Sequence, residues 1–248
     1  MFKITLDPGH VQGANVGAVA GYREGTTMFA FAQELRGFLE EYEGVQVFCT
    51  RAKPTDDPSL EARGRAAIQN GSEVFLSLHS DASGNKNVRG VTAIRSLKRP
   101  DSLALGKALA AAASGAMGCG LSPYAGADGG VWTRVYPGMA GTDYYGVLRA
   151  AAKGAGVRYI FLLEHSFHTN PTDCATLDAS AARQRVAKAE AQAIAAYFGL
   201  RPKGADGGRP VLYRFCTGAM TKGDAAKYRA ALQNLQADTG VGFSESQE

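Results

Sequence analysis

Five short, mostly apolar runs, at 2–6, 45–49, 73–79, 90–95 and 157–163, alternate with longer stretches whose apolar residues return every three or four positions. Nothing else in the chain restricts its fold as much. Several runs are apolar at consecutive positions, as in strands buried on both faces, and this is the pattern of a parallel sheet covered by helices. Met28, Phe31, Ala32, Leu35, Phe38, Leu39 and Tyr42 form the stripe a helix needs to cover such a sheet. Further helices are expected over 58–70, where Asp57 can cap and Pro58 suits the first turn, and over about 101–117, 144–153 and 180–198. The class is therefore α/β: a mostly parallel central sheet flanked by helices, opening with a βαβ unit.

The chain's 248 residues hold one well-buried domain and a small addition. Residues 1–199 carry the alternation. Leu200 to Arg209, with its glycines and charges, reads as a linker, and 210–248 as an appendage of one strand (211–216) and one helix (about 223–237). Such a unit cannot bury a core alone, so it is expected to dock on the main domain, to pair with its copy in a homodimer or to be the remnant of a larger module, with wall binding as a further role. The stretch 118–143 is rich in Gly and holds the only tryptophan, Trp132, with Tyr124, Arg134, Tyr136 and Tyr144 nearby. A long irregular insertion either carries function or packs on its own aromatics, and Trp132 and Arg134 are its candidate substrate contacts.

Charge and composition exclude several functions. The 27 basic and 23 acidic side chains leave a net +4, enough to favour approach to a polyanionic wall. No Lys/Arg cluster is dense enough for a nucleic-acid footprint. No apolar run reaches the roughly 18 residues of a membrane span. The start, Phe2-Lys3-Ile4-Thr5-Leu6, lacks the features of a secretory signal peptide, so a cytoplasmic protein is expected. Cys49, Cys119, Cys174 and Cys216 lie far apart without a C-x-x-C pair and read as buried thiols rather than a disulfide framework or thiolate cluster.

The chemistry gathers at strand ends. The first run ends in Asp7-Pro8-Gly9-His10 and the third in Leu78-His79-Ser80-Asp81. In a parallel sheet, residues just past the carboxyl ends face the crevice where ligands bind. Glu24, at the amino end of the first helix, reaches the same edge. Two histidines and a carboxylate make a three-ligand catalytic zinc site with a fourth position open to water. The run at 157–163 leads directly into Glu164, and a carboxylate there is costly to bury unless it has a task, such as that of a general base. His165 and His168 follow. Their H-x-x-H spacing precedes the turn signal Asn170-Pro171, which favours a supporting or substrate-facing role over a second zinc site.

The ordered set Ile4 to His10, Glu24, Thr50-Arg51, Leu60 and Arg63, Ser77 to Ala82, and Leu163-Glu164 with Phe167 and Asn170 resembles the zinc N-acetylmuramoyl-L-alanine amidases of the Amidase_3 type, over about residues 1–198. The resemblance implies a six-stranded sheet, zinc on His10, Glu24 and His79, catalysis by Glu164, and hydrolysis of the amide between N-acetylmuramic acid and L-alanine in bacterial peptidoglycan. Arg51 and Arg63 match positions that buttress the sheet edge. The family usually has glycine where Ser166 stands. With no signal peptide in view, the expected setting is a phage or prophage endolysin, held in the cytoplasm until lysis releases it to the wall. The rival readings are a zinc peptidase acting on the stem peptide and an inactive wall-binding domain.

Overall fold

The computed structural model describes residues 1–125 and 128–204. The appendage expected over 210–248, its homodimer contact and the linker from 205 onward lie outside the described residues. The elements run β1 (Phe2–Pro8), α1 (Glu24–Leu39), β2 (Val45–Cys49), α2 (Leu60–Gln69), β3 (Val74–Asp81), β4 (Thr92–Arg95), α3 (Leu103–Met117), β5 (Val131–Trp132), β6 (Val135–Tyr136), β7 (Met139–Asp143), α4 (Gly146–Ala152), β8 (Tyr159–Phe167), α5 (Pro171–Asp178) and α6 (Ser180–Phe198). A six-stranded sheet has the order β2-β1-β3-β8-β4-β5. Strands β1, β2, β3 and β8 are mutually parallel, while β4 runs antiparallel to β8. The fold is thus α/β with a mostly parallel sheet.

The helices cover both faces. On one, α1, α3 and α6 bury Met28, Phe31, Leu35, Leu105, Leu109, Val186 and Ile194 against Ile4, Leu6, Leu76 and Phe161. On the other, Ala67 of α2 and Val147, Leu148 and Ala151 of α4 pack on Phe75, Ile160 and Leu162. Neighbouring residues of one strand therefore enter opposite cores, which explains the unbroken apolar runs.

Four expectations need correction. Helix α2 is capped by Ser59, whose side chain accepts from Ala62 N at 3.2 Å, not by Asp57, and it begins two residues later than expected. Strand β8 continues through Glu164 to Phe167 because pairing with β3 and β4 carries on past the apolar run. The signal Asn170-Pro171 opens α5 instead of a turn, with the Asn170 side chain accepting from Thr172 N and Asp173 N. Of the thiols expected to be buried, Cys174 is, but Cys49 and Cys119 are partly exposed at element ends. No helix among the described residues is long and apolar enough to cross a membrane.

Candidate active site

The sheet order places the ends of β1, β3 and β8 side by side, and register pairs His79 with Glu164. His10 lies two residues past the end of β1, and Glu24 is the first residue of α1, where the helix dipole favours its negative charge. One side-chain donor atom from each of His10, Glu24 and His79 can be chosen so that all lie within 4.8 Å of one another, a set that could hold a metal ion. Glu24 Oε2 is 3.3 Å from His10 Nε2, and Glu24 Oε1 is 3.2 Å from His79 Nδ1. Asn15 Nδ2 donates to Glu24 Oε2 at 2.7 Å and Ser80 N to Oε1 at 3.0 Å, so the carboxylate is fixed before any ion arrives. Burial opposes ionisation of Glu24, but hydrogen bonds from His10 and His79 outweigh it and hold the carboxyl well below the usual carboxylate range. The hydrogen bond to Glu24 likewise raises the His10 pKa, against the opposing effect of burial.

The loop joining β1 to α1 is anchored at its ends by two buried guanidinium groups. Arg63 donates to Asp7 Oδ1 (3.0 Å), Pro8 O (2.8 Å) and His10 O (3.0 Å). Arg51 donates to Gly25 O (2.8 Å) and Pro54 O (3.0 Å). Asp7 also accepts from Thr50 Oγ1 and Ser77 Oγ, at 2.6 and 2.7 Å. The network holds His10 at φ 58°, a left-handed conformation that a side chain adopts only when its surroundings enforce it.

Gly9 is required by close approach: a Cβ there would overlap the His79 ring. Gly9→Ala is therefore expected to displace one donor from the other two and to lose most metal affinity while the circular dichroism spectrum stays that of the parent. Undiminished zinc binding by isothermal titration calorimetry would contradict this.

A cleft of about 390 Å³ opens over the donors. It is lined by the three donors and by Asn15, Asp81, Tyr145, Glu164 and His168, among others. Glu164 is buried, and its Oε2 has no hydrogen-bond partner among the described residues. Burial, followed by the negative charges of Asp81 and Glu24, pushes its pKa well above the usual carboxylate range. Such a group is poised to take up a proton.

The other sequence candidates separate. His168 borders the cleft. His165 does not, because its ring is fully buried with Nδ1 2.9 Å from His79 O and Nε2 2.7 Å from Glu190 Oε1, so it is withdrawn as a substrate contact. Trp132 packs partly buried against the core under α4 and is not part of the cleft lining. Arg134 stacks on Tyr144, 3.7 Å from the ring centroid, and donates to the Tyr145 hydroxyl at 3.4 Å, so it reaches the cleft only through Tyr145. Sequence reasoning missed Asn15 and Tyr145; Tyr145 fell inside the helix expected over 144–153, whereas α4 begins only at Gly146.

A sequence profile of the N-acetylmuramoyl-L-alanine amidase family matches residues 4–196. The chain is 41% identical over 88 residues to the sporulation-specific N-acetylmuramoyl-L-alanine amidase of Bacillus subtilis, a match covering 34% of this chain and 33% of that protein. It is 32% identical over 108 residues to N-acetylmuramoyl-L-alanine amidase AmiA of Escherichia coli, covering 43% and 36%. The matched stretches thus span about a third of the length of these relatives. The fold is similar to the catalytic domain of CwlV, an N-acetylmuramoyl-L-alanine amidase from Bacillus (Paenibacillus) polymyxa var. colistinus, with a TM-score of 0.65 and 23% identity over 81% of this chain and 100% of that one. The profile match runs through every donor and through Glu164, and the chain belongs to the N-acetylmuramoyl-L-alanine amidase family.

Proposed function

We propose that the chain hydrolyses the amide between the lactyl group of N-acetylmuramic acid and the L-alanine that begins the peptidoglycan stem peptide, using zinc held by His10, Glu24 and His79 and Glu164 as general base. The observation that carries this reading is a single cleft in which three metal donors meet a buried carboxylate with an uncommitted oxygen. Two imidazoles and one carboxylate are a zinc-hydrolase donor set, and the open side of the cleft leaves room for water and substrate. Zinc held by His10, Glu24 and His79 would supply a more acidic bound water and a Lewis acid for the scissile carbonyl. Glu164 accepts the proton of the attacking water and delivers it to the departing alanine nitrogen, so no nucleophilic side chain is needed. Asn15 and Ser80 keep Glu24 aimed at the ion. The cleft, about 390 Å³, is open to solvent on one side.

Mass spectrometry of digested sacculi tests the reaction: the expected products carry a new L-alanine amine and a newly freed lactyl carboxyl. Release of an amino acid from the far end of the stem would transfer the chain to the peptidases, and binding without products would make it a wall-binding domain. Metal analysis should find about one zinc per chain. His79→Ala should lose both zinc and turnover, and acidification should release the ion because a protonated imidazole has no lone pair to offer. Full zinc and full activity in His79→Ala would refute the ligand set.

A further inference from the structure

We infer that His165 and His168 are positioning residues whose Nδ1–H groups hold the carbonyls of His79 and Ser80 across a bulge in β8, fixing the strand end that presents His79 and the Ser80 N–H to the metal site. The inference rests on the metal site proposed above. Register shows the bulge directly: His79 pairs with Glu164 and Asp81 with Phe167, so His165 and Ser166 together oppose Ser80 alone. A bulge of this kind leaves ladder groups of the facing strand without their regular partners. Here side chains supply them. His165 Nδ1 lies 2.9 Å from His79 O, and His168 Nδ1 lies 2.9 Å from Ser80 O. A carbonyl only accepts, so Nδ1 of His165 carries the hydrogen; His168 Nδ1 also lies 3.0 Å from Ser80 Oγ, and the tautomer that serves the closer carbonyl carries its hydrogen on Nδ1 as well.

The surroundings fix both rings. Ser166, between them, stands at φ 59°, the left-handed conformation that gives the bulge its shape and explains why glycine is usual there. Its hydroxyl offsets the strain by donating to Asp173 Oδ2 (2.5 Å) and accepting from Gly90 N (2.7 Å). His165 Nε2 is held by Glu190 Oε1 of α6 at 2.7 Å, both residues being fully buried, and Phe31 packs on the ring at a centroid distance of 4.4 Å. His168 stacks on Tyr22, whose hydroxyl is 2.9 Å from Ser80 Oγ. Both elements of the site that come from the end of β3, the His79 ring and the Ser80 N–H to Glu24, thus hang from carbonyls gripped by histidines that are not themselves among the donors. Groups that orient metal ligands typically change affinity about 10- to 100-fold when removed.

The test compares His165→Leu and His168→Leu with His165→Asn and His168→Asn, whose amide N–H can stand near the Nδ1 position. Zinc affinity is read by competition with a chromophoric chelator, and donor geometry by the visible spectrum of the cobalt(II)-loaded protein. The leucine variants should bind zinc about 10- to 100-fold more weakly with an altered cobalt spectrum. The asparagine variants should stay near the parent. Should His165→Leu not fold, the comparison passes to His168→Leu at the cleft wall. A folded leucine variant with parental affinity and spectrum overturns the inference, as does an asparagine variant as weak as its leucine counterpart. A parent chain that takes up no metal overturns instead the reading on which the inference rests.

Discussion

Glu164→Gln is expected to lower kcat on peptidoglycan by about 10²- to 10⁴-fold, the usual worth of general acid–base help, while zinc content and substrate binding stay at parental levels. The amide keeps the volume of the carboxyl but cannot accept the proton. Turnover at the parental rate would remove Glu164 from the mechanism. The same substitution has an opposite effect on the fold. Because burial and the charges of Asp81 and Glu24 raise the folded-state pKa, the folded protein binds this proton more tightly than the unfolded chain does. The ionised carboxylate therefore costs stability that appears as pH rises from the unfolded value, about 4.3, towards the raised folded one. In the metal-free protein, Glu164→Gln should melt above the parent at neutral pH, with the gain fading below the unfolded pKa. A gain that persists unchanged in acid would assign the effect to packing.

The second large effect is structural. Arg63→Met should destabilise the domain by about 3–5 kcal/mol, since removing one partner of a buried pair leaves the other charge uncompensated. Arg63 and Asp7 are 3% and 1% exposed, and the same guanidinium also holds the carbonyls of Pro8 and His10. At this size the melting temperature should fall by about 6–20 °C. Arg65→Met is the control: its pair with Glu61 is exposed on both sides and should contribute less than about 1 kcal/mol. Similar losses in the two variants would mean that charge number, not the buried network, governs stability.

Strands β1, β3, β4 and β8 were legible because they are buried on both faces, which writes a continuous apolar run into the chain, whereas β2, an edge strand with only Val47 buried, was legible from its apolar composition alone. Strands β5, β6 and β7 were not, since two- to five-residue pieces among glycines are defined by pairing rather than by side-chain pattern. The donors His10, Glu24 and His79 could be picked out because a parallel sheet brings its strand ends to one edge. The roles of His165 and His168 could not: a bulge shifts which residues face each other without altering periodicity, and only coordinates show which carbonyl each ring meets. Asn170-Pro171 illustrates a different limit, for the same two residues serve a turn or a helix start and only the following contacts decide.

Arg51 and Arg63 hold the β1–α1 connection at its two ends by main-chain oxygens, at Pro8 and His10 after the strand and at Gly25 in the first turn of the helix. Main-chain oxygens are present whatever the side chains, so these anchors place no demand of their own on the side chains of the intervening stretch, where Asn15 and Tyr22 are tied to the site by contacts of their own. Val16, 66% exposed within it, can change without disturbing those anchors. At exposed positions such as this the loop can vary in sequence while the donors keep their positions.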